Sequence, residues 1–127
     1  MRKEILLSFL LALLSRNAFA QFWAEAMFPI KTHDFGTIAR YAQAEFQFPV
    51  TNIYKETIII ESAVSSCKCT NVTVINPVLK TGQTGYIHVK INSHRFVGQK
   101  GATITVRISQ PFPAAVELHD RVTVSPE

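Results

Sequence analysis

Ala102-Thr103-Ile104-Thr105-Val106-Arg107-Ile108 sets an apolar side chain at every second position, with Thr103, Thr105 and Arg107 in between. Successive side chains of an extended chain point to opposite faces, so this stretch reads as a strand with one face buried and the other wet. Upstream, Tyr86 to Asn92 repeats the pattern, with Ile87, Val89 and Ile91 alternating with Tyr86, His88 and Lys90. Ser93 to Gly101 between them holds two glycines and reads as a loop. Downstream, Pro111-Phe112-Pro113 ends the strand, and Val116, Leu118, Val122 and Val124 mark a last one, bulged around His119-Asp120.

The rest of the chain carries the same two-residue period. Phe46, Phe48 and Val50 alternate with Glu45, Gln47, Pro49 and Thr51. Pro49 cannot donate to a ladder and places this strand at an edge or a bulge. Thr57-Ile58-Ile59-Ile60-Glu61 is β-branched enough to press into a core, and Val72, Val74 and Ile75 form a brief strand after it. Asn76-Pro77 and Lys80-Thr81-Gly82-Gln83-Thr84-Gly85 supply turn chemistry, and Gly36 another turn. Ala24 to Ile30 is expected as a short first strand, and no segment after residue 20 shows a helical period. Six or seven short strands without a helix predict one antiparallel β-sandwich of the immunoglobulin type over residues 21–127. The expected core is Phe46, Phe48, Ile58, Ile60, Ile87, Val89, Ile91, Ile104, Val106 and Ile108.

Residues 1–20 have the build of a cleavable secretory signal: basic Arg2 and Lys3, an apolar run from Ile5 to Leu14, and Ala18-Phe19-Ala20 before the cut. The run is too short for a bilayer core of about 30 Å, which asks for roughly 20 apolar residues. Gln21 stands where a lipoprotein needs cysteine. The mature chain is therefore expected without a membrane span, in the periplasm, the cell envelope or the extracellular space. Of the formal charge of +4, Arg2, Lys3 and Arg16 against Glu4 carry +2, and the remaining charges are scattered. A nucleic-acid partner has no basic patch to bind.

The chain's two cysteines lie in Ser65-Ser66-Cys67-Lys68-Cys69-Thr70. On an extended strand Cys67 and Cys69 share a face with Cα atoms about 6.5–7 Å apart, at or past the reach of a disulfide, so a bridge requires a kink. Three readings stay open: a packed structural step, a two-thiolate clip for Cu(I) or Zn, and a redox pair. Zn would draw further ligands from His33, His88, His94 and His119, none at a metal-motif spacing from the cysteines. Each histidine also reads as an ordinary solvated side chain. Ser65 and Ser66 lack the surroundings of a nucleophile and read as turn formers, and Glu45, Glu61 and Glu117 are not paired for acid and base work. No cofactor motif is present, and no enzymatic activity is expected. Asn71-Val72-Thr73 fits a glycosylation acceptor by chance in a chain with a bacterial type of signal.

Taken in order, Phe35-Gly36-Thr37-Ile38, the strand closing on Thr51-Asn52, Ser66-Cys67-x-Cys69-Thr70, Gly82-x-Thr84-Gly85 and the stretch Gly98 to Val106 resemble a known family. It is the bacterial Ig-like domain-of-unknown-function family 1573, similar in turn to sandwich domains of the major-sperm-protein and PapD-like type. The resemblance runs from about Phe28 to Val124. It implies a sandwich and an envelope location, and no established activity. Lys68 departs from the family's usual Cys-Gly-Cys-Thr step, which bears on any role that needs positive φ there. Family members often continue into further sandwich repeats, so both a stand-alone module and a shortened member are expected forms. The function expected is that of a non-catalytic interaction or structural module offering a sheet edge to a partner strand, away from Pro49. The alternative is a metal or thiol-redox protein working through Cys67 and Cys69. Within the fold, one of the two sulfurs is expected to pack against the core, with Lys68 facing water and the step marking where the chain leaves its sheet.

Overall fold

A computed structural model describes residues 22–126. The expected secretory signal at residues 1–20 lies outside the described residues. Residues 22–25 form one turn of helix (α1). The strands follow as β1 (Thr32–Ala39), β2 (Gln43–Thr51), β3 (Ile58–Ser65), β4 (Thr70–Ile75), β5 (Val78–Leu79), β6 (Thr84–Asn92), β7 (Gly98–Gln110) and β8 (Ala114–Ser125). They pair into a five-stranded sheet ordered β1-β8-β7-β3-β5 and a three-stranded sheet ordered β2-β6-β4. Among the described residues no helix is long and apolar enough to cross a membrane.

The alternating segments form their strands as their periods require. β7 and β8 pair in one unbroken antiparallel register from Gly98–Val124 to Ile108–Ala114. β6 is the centre of the smaller sheet, pairing with β2 and β4. β2 is an edge of that sheet, so Pro49 forfeits no ladder bond to a further strand. Phe48 and Val50 from β2, Ile58 and Ile60 from β3, Ile87 and Val89 from β6, and Ile104, Val106 and Ile108 from β7 meet in one core. Ile91 packs in a second, smaller cluster with Ala44, Val122 and Val124. Phe46 is only half-buried, its ring covered by His33 in a parallel stack with centroids 3.7 Å apart.

Five expectations are corrected. Ser93 to Gly101 is not all loop, because β7 already begins at Gly98 and pairs with β8 from there. The chain 24–30 is no strand: α1 runs to residue 25 and a turn follows, with Ala24, Met27 and Phe28 all buried. Thr32–Ala39 is a strand instead of a turn, and it runs parallel to β8, so the sandwich is not wholly antiparallel. The turn expected at Gly36 is a bulge, where the register slips between Asp34 and Thr37; Gly36 has φ 69° and donates its N–H to Asp34 Oδ1 at 2.8 Å. No bulge interrupts β8 at His119-Asp120; Asp120 is buried at a core-facing position.

Buried Asn52 organises the loop between β2 and β3 through both ends of its amide. Its Nδ2 donates to Glu56 O at 2.8 Å and to Leu79 O at 2.9 Å, and its Oδ1 accepts the Tyr54 N–H at 2.8 Å. A fully satisfied buried amide fixes the loop that aims β3 into its sheet.

Candidate functional site

The cysteine step is the hinge between the two sheets. β3 ends at Ser65 in the larger sheet and β4 begins at Thr70 in the smaller one. Between them Cys67 and Cys69 are joined by a disulfide across a tight turn, with Cα atoms 5.2 Å apart instead of the extended-chain separation. Side chains of the flanking serines hold that turn. Ser65 Oγ donates to Cys67 O and accepts the Cys67 N–H, both at 3.1 Å. Ser66 is tied to β7 twice: its N–H donates to Thr103 O and its Oγ accepts the Thr103 N–H, each at 2.9 Å. Thr70 N–H donates to Cys67 O at 3.2 Å, and Asn92 N–H to Cys69 O at 2.7 Å, which anchors the far side to β6. Cys69 is 7% exposed, Cys67 half-buried and Lys68 exposed.

Two open strand edges converge on this hinge. β5 pairs with Ile58 and Ile59 of β3, and Ile60 N–H donates to Pro77 O at 2.8 Å. Beyond that point residues 61–65 have no strand beside them on the side away from β7, among the described residues. β4 is likewise an edge, and its inward Val72 and Val74 are only half-buried. Between the two edges lies a shallow groove of about 570 Å³, lined by Ala63 and Val64 of β3, Val72 of β4 and Cys67 of the turn, with Lys68 and Arg95 bringing positive charge. Val64 is 62% exposed, a large apolar side chain left in water.

The histidines stand elsewhere. His33 lies on Phe46 and meets Phe35 edge-on, so it faces the sandwich instead of solvent. His88, on the outer face of β6, is held by Gln47 Nε2 at 3.2 Å and lies 3.6 Å from Glu45 Oε1. His94 packs against the Tyr41 ring, and His119 reaches Thr103 Oγ1 at 3.3 Å. Among the described residues no three histidine, cysteine or acidic side chains converge on one point. Asn71 and Thr73 are exposed on the outer face of β4. The groove itself had no pattern in the sequence, because it arises from two strand edges brought together by the fold.

Solved structures resemble this sandwich at low identity. The chain is similar to the VesB protease of Vibrio cholerae at 11% identity with a TM-score of 0.67, over 85% of this chain and 34% of that one. It is similar to PapD-like domain 7 of human CEP192 at 8% identity and a TM-score of 0.66, over 79% of this chain and 84% of that one. The periplasmic chaperone SfaE matches at 10% identity and a TM-score of 0.52, over 79% and 57% of the two chains. The chain thus spans about a third of the VesB chain, and at these identities the likeness establishes the fold alone. A comparison with curated proteins returns no sequence match. A family model, described as protein of unknown function (DUF1573), matches residues 27–124, nearly the whole sandwich, and the chain belongs to that family.

Proposed function

We propose that the chain is an exported, non-catalytic interaction module of the bacterial envelope that takes an extended segment of a partner protein along the open edge of β3. The observation that carries this is the run of residues 61–65 without a neighbouring strand among the described residues, facing β4 across a groove of about 570 Å³. An unpaired edge offers a row of backbone donors and acceptors to an incoming strand, and the apolar walls supply pockets for its alternate side chains. Pro49 and the bulge at Gly36 make the edges of β2 and β1 poorer templates. Binding of a short valine–serine alternating peptide tests the reading. Val64→Asp should weaken it by roughly tenfold or more while leaving the circular dichroism spectrum unchanged. Binding that ignores Val64 and follows β2 instead would contradict it. Export is tested separately: protein recovered from the envelope should begin at Gln21, and a cytoplasmic chain retaining Met1 would contradict export.

A second reading is favoured by one observation, half-buried Cys67 lining the groove in a bridge to buried Cys69. A bridged pair speaks for thiol–disulfide chemistry ahead of a two-thiolate metal clip, which needs both sulfurs reduced.

A further inference from the structure

The Cys67–Cys69 bridge is presented to the groove unequally. Cys67 lines the groove, whereas Cys69 is 7% exposed and lies under the turn, its sulfur 3.7 Å from Thr70 Oγ1. Lys68 and Arg95 line the same groove as Cys67. Thiol–disulfide exchange goes to the sulfur that a thiolate can reach, and positive charge at that sulfur draws the thiolate in.

We propose that the groove docks an extended, cysteine-bearing segment of a partner protein, and that the partner's thiolate exchanges with the bridge at Cys67 while Cys69 serves as the resolving thiol. This rests on the docking and thiol-exchange readings above. The segment is extended because both walls of the groove are strand edges, so its backbone pairs with residues 61–65 as its cysteine arrives at the turn. In the step, a bond forms between the incoming sulfur and Cys67 Sγ. The Cys67–Cys69 bond breaks, and its electron pair passes to Cys69 Sγ, which takes a proton from water. One thiol and one disulfide stand on each side of the exchange, so no outside oxidant or reductant enters. In reverse, Cys69 attacks Cys67 Sγ and frees the segment. The anchored backbone of Cys69, whose carbonyl accepts the Asn92 N–H at 2.7 Å, keeps it beside its partner for that return.

The test uses the single variants Cys69→Ser and Cys67→Ser, each with one remaining thiol. Each is mixed with a valine–serine alternating peptide whose single cysteine is activated as its thionitrobenzoate disulfide. Release of thionitrobenzoate gives the rate, and peptide mapping gives the point of attachment. Cys69→Ser should react roughly tenfold or more faster than Cys67→Ser, and faster with the peptide than with activated glutathione by a similar factor. In the parent, the reduced peptide should form an adduct on Cys67 with Cys69 open to alkylation. Equal rates in the two variants, or an adduct on Cys69, overturn the exchange at Cys67. Glutathione reacting as fast as the peptide overturns the extended partner. A peptide with serine in place of cysteine separates the two ideas: if it binds the parent while the cysteine peptide leaves no adduct, the exchange fails and docking stands. Should a variant fail to fold, mapping of the adduct on the parent decides the outcome.

Discussion

Asp120 takes a place on β8 that the alternation of Val116, Leu118, Val122 and Val124 assigns to an apolar side chain. It is 2% exposed, and its Oδ2 has no hydrogen-bond partner among the described residues. Burial pushes its carboxyl above the ordinary value of 3.8, against the opposing pull of a backbone hydrogen bond at Ala102 and of His119. With its folded pKa above its unfolded one, the folded state holds more protons across that interval, so stability falls as pH rises through it. Asp120→Asn removes the buried charge and should stabilise the protein at neutral pH by about 1 kcal/mol. Thermal melts of parent and variant over a pH series should show the gap closing on acidification; a variant less stable than its parent at neutral pH contradicts this account. The sequence named His119-Asp120 as a bulge because a polar residue that interrupts an alternating run looks the same whether the register slips or the residue is simply buried. The cysteine step shows a related limit. Extended geometry put Cys67 and Cys69 out of bridging reach, and the turn that brings them together depends on Ser66 binding Thr103, a residue of a distant strand.

At the scale of elements, Gly85 has a role beyond turn chemistry. It lies in β6 opposite Val50, and a Cβ there would stand 2.6 Å from Asn76 O and 2.9 Å from Ile75 O. Those are backbone atoms at the end of β4, so the strand would have to move. Gly85→Ala should cost on the order of 2 kcal/mol or more, read as a lower denaturant midpoint, whereas a neutral substitution would mean that β4 does not pass this close. β2, β6 and β7 were legible because each alternates over several residues and buries one face. α1 was not: residues 22–25 give a single helical turn, too little for a period to emerge. β1 was hidden by the glycine of its bulge, and β5 by its two-residue length.

For the whole molecule, the sandwich likeness was readable from the order of its glycine turns and its Cys-x-Cys-Thr step, and the family match over residues 27–124 bears that out. The candidate site was not readable as a place. Pro49 told which edge would be blunted, but that β5 begins only at Val78 and, among the described residues, leaves β3 open beyond Ile60 is a matter of where two distant segments meet. If a partner strand completes this open edge, amide hydrogen exchange on the free and peptide-saturated protein will register it residue by residue. In the free protein, the amides of residues 61–65 that point away from β7 should exchange at least about a hundredfold faster than those in the middle of β7. Saturation with the valine–serine alternating peptide should slow these amides by roughly tenfold or more. Peptide binding that leaves residues 61–65 unprotected, or that protects β2 in their place, would contradict the account.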